Sequence, residues 1–310
     1  MKNYPKVSIV IVNYKGFEDT IGCLESISGL DYPNFNVIVV ENNSPNESFK
    51  ELKNYIEKNQ KFSIKLIKSK ENLGFAGGCN LSIKEARKLN TDYFLLLNPD
   101  TKVEPDFLKK LIEVAVKPEI IANKKLGFLG PRIFYENKET TYSNGGLLNK
   151  FLTRGILKDH GKNKKELKEK KPFVTDYVTG TALLVSKEVV TDIGLMREDY
   201  FLYYEEADWA IRAKKRGYSH FIIPDSIIYH KGYHSTTYLS FNYIYYLIRN
   251  GYYLAWWNGN ILQKVFVIFY SLYKFIKQFP KLFIPSKMKW ARPIWRASWD
   301  FWRGKTGKLC

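Results

Sequence analysis

The sequence predicts an α/β fold, with a Rossmann-like, mainly parallel central sheet and flanking helices, followed by an aromatic and basic helical segment. Two observations carry this prediction. Short apolar runs alternate with helical patterns over residues 6–100, which is typical of a parallel sheet. From about residue 238 onward, Tyr, Phe and Trp crowd together and acids almost vanish, which indicates a C-terminal segment of different character.

Four buried strands are predicted in the first hundred residues, at 6–14, 35–44, 62–69 and 92–100. Each is largely a run of apolar, β-branched residues, as expected for a strand that is covered on both faces. Helices are predicted between them at 19–28, 47–59 and 77–89. Parallel strands share one carboxyl edge, and ligands of α/β proteins bind outside that edge. Further strands are predicted at 127–134, 176–186 and 221–230, with a helix at 205–218.

The positive charge of the chain is unevenly distributed. The 310 residues are long enough for a full core and for two domains, and they carry a net charge of +18. Residues 231–310 hold 13 Lys and Arg but a single acid, Asp300. This excess favours a polyanionic partner, either nucleic acid or an anionic membrane.

Cysteine usage and hydropathy indicate a reducing cytosol. Cys23, Cys79 and Cys310 show neither metal-ligand spacing nor an even-numbered disulfide framework. The apolar run at 7–12 is too short for a signal-peptide core. Polar residues interrupt every long apolar stretch, so no membrane-spanning helix is predicted.

An amphipathic helix is predicted between residues 261 and 279. One face carries Lys264, Ser271, Lys274 and Gln278, and the other carries Val265, Phe269, Leu272 and Ile276. The helix packs on the preceding domain, lies on anionic lipid, or does both, and the Trp and Arg residues over 290–303 favour lipid. The same aromatic segment could equally form a dimer surface.

Asp100 and His230 are candidate metal ligands. Asp100 ends the predicted strand 92–100, and a lone carboxylate there suits a divalent cation, although the Asn-Pro-Asp sequence also favours a plain turn. His230 ends an apolar strand and is the candidate second ligand, with a buried core histidine as the alternative. His234 is a weaker candidate.

Two further polar stretches follow the second and third strands. Glu41, Asn42, Asn43 and Ser44 end the second strand, where a carboxylate can accept hydrogen bonds from a base or ribose and Ser44 can cap the next helix. The glycine-rich turn at 71–80 lets backbone N–H groups approach a phosphate or sugar. It lacks the G-x-G-x-x-G spacing, which argues against a dinucleotide site.

Three carboxylates open the predicted helix at 205–218. Asp208 can pair with Arg212 one turn later. Glu205 and Glu206 remain, and their mutual repulsion raises a carboxyl pKa, as suits a general base. The alternative is an acidic first turn that the helix dipole favours.

Eight stretches, in order, resemble the family-2 glycosyltransferases of the GT-A fold, in particular the rhamnosyltransferase-like branch that builds bacterial surface polysaccharides. The stretches are VSIVIVNY, VVENNS, ENLGFAGGCN, LLLNPDT, VTGTALLVSKEVVTDIG, YFLYYEEADWAIRAKKRGY, IIYHKGYHS and YYLIRN, over about residues 5–255. The resemblance implies a catalytic domain at 1–237, with donor binding at about 1–101 and the acceptor side at about 102–237. Residues 238–310 would then be a membrane-associating or oligomerisation segment.

The resemblance also implies roles for individual residues. The donor-binding residues would be Asn13, Glu41, Asn43, Asn72, Gly74, Asn98 and Asp100. Asp100 and His230 would hold Mn²⁺ or Mg²⁺, and Glu206, with Glu205 next in rank, would be the catalytic base. Gly180 and Trp209 would face the acceptor. The family usually has Asp where Glu41 and Glu206 stand, and a second carboxylate where Asn98 stands.

The implied reaction is inverting transfer of a sugar, with rhamnose as one candidate, from a nucleoside-diphosphate sugar, with dTDP and UDP favoured. The acceptor would be a glycan or a polyprenyl-linked hydroxyl at the cytoplasmic face of the cell membrane, in surface polysaccharide synthesis. A nucleic-acid-binding protein is one alternative, but carboxylates at the strand ends would repel phosphate. A sugar nucleotidyltransferase is another, although its glycine-rich triphosphate loop is missing around Gly16.

Overall fold

The computed structural model describes residues 4–122, 124–232 and 239–309. The strands are β1 Val7–Asn13, β2 Phe35–Glu41, β3 Ile64–Lys68, β4 Tyr93–Leu97, β5 Thr101–Val103, β6 Leu126–Tyr135, β7 Thr141–Ser143, β8 Gly146–Leu148, β9 Gly155–Leu157, β10 Phe173–Thr175, β11 Ala182–Ser186 and β12 Ser219–His230. The α-helices are α1 Phe17–Ile27, α2 Ser48–Lys58, α3 Gly74–Arg87, α4 Phe107–Ala115, α5 Lys187–Ile193, α6 Glu205–Lys215, α7 Phe241–Asn258, α8 Ile261–Gln278 and α9 Pro285–Trp302. Short 3₁₀ helices lie at Pro118–Ile121, Lys164–Glu166, Glu198–Tyr200 and Phe279–Phe283.

One large sheet organises the described part of the chain. Its strand order is β10-β12-β6-β11-β4-β1-β2-β3, with β5 added to β12 and β7 added to β6. Strands β4, β1, β2 and β3 are mutually parallel, and β12 runs parallel to β6. Strand β11 lies antiparallel between β4 and β6. The predicted α/β fold with a mainly parallel sheet is confirmed, and the ends of β1 to β4 share one edge, here called the carboxyl edge.

Alternating side chains of the central strands enter two separate cores. Ile9 and Ile11 of β1 point to the core that α1 and α4 cover, whereas Val10 and Val12 point to the core that α3 and α6 cover. All four side chains are buried, with at most 9% exposure. A strand that is covered on both faces is continuously apolar, which explains the β-branched run of the sequence.

Several element boundaries differ from the predicted ones for local reasons. Strand β2 ends at Glu41 because Asn43 adopts a left-handed φ of 56°. Helix α3 begins at Gly74 rather than at residue 77, so the glycine-rich turn forms its first turn. Within the predicted strand 176–186, only Ala182–Ser186 is a strand.

The C-terminal helices α7, α8 and α9 pack against one another, and α7 also contacts α6. Among the described residues, no helix combines the length and the apolar character needed to cross a lipid bilayer. The proposed boundary at 237–238 and the candidate His234 lie outside the described residues.

Helix α8 has the predicted two faces, but it turns its apolar face outward. Ser271 and Gln278, from the predicted polar face, are buried together with Val267. Helix α8 thus packs on α7 and α9 through its polar side and leaves its apolar side chains exposed, an arrangement compatible with both predicted alternatives. The large apolar side chains that face solvent on α8 and the following 3₁₀ helix form what we call the C-terminal apolar surface. Its members, 41–74% exposed, are Ile261, Leu262, Val265, Phe269, Leu272, Ile276, Phe279 and Phe283.

Candidate functional site

Asn13 and Glu41 lie side by side where β1 and β2 reach the carboxyl edge. The register pairs the two residues, and both are buried, with 0% and 1% exposure. The Oδ1 of Asn13 accepts a hydrogen bond from Thr20, but its Nδ2 is buried without a partner. A buried donor that lacks a partner is costly, so this amide favours an acceptor supplied by a ligand.

The Ser44 N–H donates to Glu41 Oε1 at 2.8 Å, which fixes the Glu41 carboxylate. The Oγ of Ser44 accepts from the Lys15 N–H, and helix α2 starts only at Ser48, without a side-chain cap. The expectation that Ser44 caps this helix is therefore wrong.

Asn42 and Asn72 hold the glycine-rich turn together. Asn42 Nδ2 donates to the Gly74 carbonyl at 3.0 Å, and the Leu73 N–H donates to Asn42 Oδ1 at 3.0 Å. The Gly74 N–H donates to Asn72 Oδ1 at 2.9 Å. Because these N–H groups are already used, the turn does not present them to a phosphate or sugar, contrary to expectation.

Asn43 and Gly74 both have a left-handed backbone, which the sequence did not reveal. The side chain of Asn43, a predicted donor-binding residue, is exposed, whereas that of Asn42 is buried. Gly74 has a φ of 72°, and a Cβ at this position would lie 2.1 Å from the Phe201 carbonyl oxygen. The turn therefore packs backbone against backbone on the 200–204 loop, which contains Phe201.

Asp100 and His230 meet as the sequence predicted. Strand β12 pairs with β5 so that His230 lies opposite Thr101, and His230 Nε2 lies 3.1 Å from Asp100 Oδ1. Their side chains are 5% and 12% exposed. The His230 ring packs edge-on against Tyr142, and its Nδ1 is buried without a partner.

This pair has the chemistry of a partial metal site. A carboxylate oxygen and an imidazole nitrogen are both ligands that divalent cations accept. Within the described residues, however, no group of three or more His, Cys, Asp or Glu side chains is placed to hold a metal. Asp100 and His230 are therefore two ligand-type groups that do not complete a cation site by themselves, and their role as metal ligands stays a prediction.

Glu205 and Glu206 open helix α6 but differ in access. Glu205 is only 3% exposed and its Oε2 has no partner, whereas Glu206 is partly exposed. Burial raises the pKa of Glu205 well above its ordinary value, and the charge of Glu206 adds to this effect. Burial also raises the pKa of Glu206, although the N–H groups of Glu206, Gly180 and Ala207 stabilise its carboxylate. Glu206 thus combines access with a raised pKa, as a general base requires.

Residues 180–181 lie between Glu206 and Asn98, two residues before Asp100. The Gly180 N–H faces the Glu206 carboxylate, and the Thr181 carbonyl accepts the Asn98 N–H at 2.9 Å. A Cβ at Gly180 would lie 2.9 Å from the Phe75 ring, next to the glycine-rich turn. Gly180 thus lies between Glu206 and Phe75, and its role at the acceptor stays a prediction.

Trp209 does not face an acceptor, contrary to the prediction. It is 0% exposed, its ring packs on Phe128 at 4.9 Å, and its Nε1 donates to the Gly194 carbonyl at 2.8 Å. The predicted Asp208–Arg212 pair does form, with 2.9 Å between Asp208 Oδ2 and Arg212 Nε. Trp209 and the Asp208–Arg212 pair therefore help to fix the position of α6.

The loop before the acidic pair is conformationally strained. Phe201, Tyr203 and Tyr204 have φ values of 65°, 69° and 76°, a region that bulky residues rarely adopt. Such conformations cost on the order of 1–3 kcal/mol each and persist only where the surroundings enforce them. Sequence reasoning did not find this loop, because aromatic residues give no signal for left-handed backbone.

Comparison with known proteins adds independent findings. The model of the glycosyl transferase family 2 matches residues 8–194, more than half of the chain. Over 214 residues the chain is 28% identical to the low-salt glycan biosynthesis hexosyltransferase Agl10 of Haloferax volcanii, covering 67% of this chain and 62% of Agl10. Over 221 residues it is 26% identical to the dTDP-rhamnosyl transferase RfbF of Shigella flexneri, covering 71% and 67%.

A solved structure shows the same fold. The mannosyltransferase PcManGT from Pyrobaculum calidifontis, in complex with GDP-Man and Mn²⁺, superposes with a TM-score of 0.58 at 12% identity, over 98% of this chain and 89% of that chain. The family match spans Asn13 to Gly180 but ends before Glu205, Glu206 and His230.

Proposed function

Because the chain belongs to glycosyl transferase family 2, and is thus a glycosyltransferase with the GT-A fold, we propose that it catalyses inverting transfer from a nucleoside-diphosphate sugar to an acceptor hydroxyl. One observation carries this proposal. The proposal is supported by the buried Asn13 and Glu41 at the carboxyl edge, by the contact of Asp100 with His230, and by Glu206, which Gly180 contacts.

The transfer is a single displacement. The acceptor hydroxyl oxygen forms a bond to the anomeric carbon while the bond from that carbon to the diphosphate oxygen breaks. The proton of the hydroxyl passes to the Glu206 carboxylate, and the nucleoside diphosphate leaves with the bonding electron pair. Attack opposite the leaving group inverts the anomeric centre. The raised pKa of Glu206 makes its carboxylate a stronger base than an exposed glutamate.

Asn13 and Glu41 would bind the base and ribose of the donor. The Nδ2 of Asn13 would donate to an acceptor on the base, and the Glu41 carboxylate would accept from hydroxyl or N–H groups. The name of RfbF supports a dTDP-sugar such as dTDP-rhamnose, and a UDP-sugar is the second choice.

Asp100 and His230 would hold a divalent cation, Mn²⁺ or Mg²⁺, while Asn98 supplies an amide where a second carboxylate is usual. When bound, such a cation neutralises charge on the leaving diphosphate. Lys231 lies next to this pair, since its N–H donates to the Asp100 carbonyl, and its Nζ pairs with Asp19 at 2.9 Å. Because Asp100 is the one carboxylate proposed to hold the cation, the cation affinity should rise with bound diphosphate.

The C-terminal apolar surface supports a peripheral location on an anionic membrane, at its cytoplasmic face. The surface lies within the segment that holds 13 Lys and Arg against one acid. Apolar side chains surrounded by basic residues are typical of helices that lie in the headgroup region. A membrane-bound enzyme of this kind would meet a lipid-linked or glycan acceptor at the same membrane. The competing proposal is that the C-terminal apolar surface forms a homodimer.

Two variants test the proposed reaction. Glu206→Gln removes the base without changing the size of the side chain, so transfer should fall by about 10²–10⁴-fold while donor binding persists. Asp100→Ala should lower both transfer and the metal dependence of donor binding. Product formation is measured from radiolabelled donor, with donor affinity measured in parallel. Near-normal turnover by Glu206→Gln would refute the assignment of the base.

A further inference from the structure

A buried polar pair on helix α7 contacts the backbone of the strained loop. Arg249 and Asn250 are 1% and 0% exposed, and they stand in the stretch YYLIRN, to which the proposed reaction gives no role. We propose that Arg249 and Asn250 are positioning residues, which hold the 200–204 loop in the shape that places Glu206 for catalysis. This inference rests on the proposed function of Glu206.

Asn250 bonds to three carbonyls of one short segment. Its Nδ2 lies 2.9 Å from the Tyr200 carbonyl, 2.7 Å from that of Leu202 and 3.1 Å from that of Tyr203. The amide has only two N–H groups, so these carbonyls share them. The carbonyls thus surround Phe201, the residue whose own carbonyl meets the glycine-rich turn.

Arg249 sets the orientation of Asn250. Its Nε donates to Asn250 Oδ1 at 3.0 Å, so the amide oxygen faces the guanidinium and the amide nitrogen faces the loop. Its Nη2 donates to the Tyr200 carbonyl at 3.2 Å. A guanidinium offers these donors in a rigid fork, which a lysine cannot reproduce.

Helix α9 holds Arg249 and Asn250, which we together call the clamp, on the side away from the loop. Arg249 Nη1 donates to the Tyr245 hydroxyl at 3.3 Å, and that hydroxyl donates to Asp300 Oδ2 at 2.9 Å. Arg296 Nε also donates to Asp300 Oδ2, at 2.7 Å. A continuous chain of polar contacts therefore runs from α9 through α7 to the loop that precedes Glu205 and Glu206.

The loop in turn contacts both sides of the site. The Phe201 carbonyl accepts the Phe75 N–H at 2.8 Å, which ties the loop to the glycine-rich turn. Tyr204 leads directly into α6, so its left-handed conformation sets the direction of the helix start and of the Glu206 side chain. Without the clamp, a loop with three left-handed aromatic residues would relax, and Glu206 would move.

The test compares Asn250→Ala and Arg249→Lys with a control on the same helix, Tyr252→Phe. Tyr252 is buried, and its hydroxyl contacts Ser298 on α9 rather than the loop. For Asn250→Ala we expect kcat per folded molecule to fall about 100-fold, since misplacement of a reacting group by about 1 Å has this effect. Arg249→Lys, which keeps the charge, should lose about 10-fold, and the control should keep the wild-type kcat.

The pH profile separates positioning from simple stability. The groups that face Glu206 are Glu205 and Tyr204 on its own segment, with Cys79 and Tyr177 from the elements packed against it. If Glu206 shifts toward solvent, the acid limb of kcat/KM should move to lower pH. A loss of folded protein alone would reduce the amplitude and leave the limb unchanged.

Three results would overturn the proposal. They are a wild-type kcat in both clamp variants, a loss that disappears on normalising to folded enzyme, and an unchanged acid limb. Glu206→Gln, measured in the same assay, distinguishes these failures from failure of the proposed function. If that variant remains active, the base assignment is wrong; if it is inactive and the clamp variants are normal, only the clamp is wrong.

Discussion

The substitution Gly74→Ala tests the contact between the glycine-rich turn and the strained loop. Gly74 has a φ of 72°, and an added Cβ would lie 2.1 Å from the Phe201 carbonyl oxygen and 2.7 Å from Cδ2 of the Phe201 ring. Both distances are far below van der Waals contact. The first obstacle is backbone, so a side-chain rotation cannot relieve the clash.

The expected destabilisation follows from two terms. A left-handed conformation costs a residue with a Cβ about 1–2 kcal/mol. Forcing extra volume into a packed site typically costs about 1–3 kcal/mol more. We therefore expect Gly74→Ala to lower the free energy of unfolding by about 2–5 kcal/mol, and to weaken donor binding as the turn moves away from the loop.

The assay is equilibrium unfolding in urea, with Gly22→Ala as the matched control. Gly22 lies inside α1, and a Cβ there would meet nothing within 4 Å. Alanine is the better helix former, so the control should gain about 0.5–1 kcal/mol. A loss below about 1 kcal/mol for Gly74→Ala would refute the contact between the turn and the loop.

Two further predictions concern pH and lipid. The acid limb of kcat/KM should lie above pH 4.5, the ordinary pKa of glutamate, because burial raises the pKa of Glu206. Activity is lost at lower pH because the base is then protonated. An acid limb at or below pH 4.5 would contradict this prediction. The double variant Phe269→Asp/Phe283→Asp should reduce partitioning onto vesicles with anionic lipid by at least about 100-fold, since burying each phenylalanine contributes about 1.5–3 kcal/mol. The control Ile120→Asp/Val174→Asp adds the same charge at exposed apolar positions outside the C-terminal apolar surface and should bind normally. Unchanged vesicle binding by the Phe269/Phe283 variant would contradict the membrane proposal, and a change from dimer to monomer would assign the surface to a second copy.

The strand ends could be predicted from sequence because a parallel sheet leaves little freedom. Once β1 to β4 are parallel, Asn13, Glu41 and Asp100 must follow strands that end at one edge. The Asp100–His230 contact follows from similar logic, since Asp100 comes three residues after β4 and His230 ends β12. The Asp208–Arg212 pair needed only the helical repeat.

Positions that depend on packing or on one backbone angle could not be predicted. Trp209 is buried because α6 turns that side toward β6, which a helical repeat alone does not specify. Asn42 is buried while Asn43, whose backbone is left-handed, is exposed, and residue type alone does not specify this difference. Helix α8 buries Ser271 and exposes Phe269, the reverse of the usual rule, and only tertiary contacts reveal this.

The clamp of Arg249 and Asn250 was the feature hardest to predict from the sequence. Its partners are backbone carbonyls about 50 residues earlier in the chain, and carbonyls carry no sequence signature. The stretch YYLIRN supported the family resemblance without indicating a role for either residue.

The central claim is that this carboxyl edge binds a nucleoside-diphosphate sugar together with a divalent cation. It is tested most directly by the thermal shift of the full chain with dTDP-, UDP- and GDP-sugars, each with and without Mn²⁺. A ligand that binds the folded state raises Tm, and it raises Tm more the tighter it binds at a given concentration. We expect a rise confined to one nucleotide class, largest with Mn²⁺ and lost in Asp100→Ala. An unchanged Tm with every donor, with or without the cation, would contradict the account.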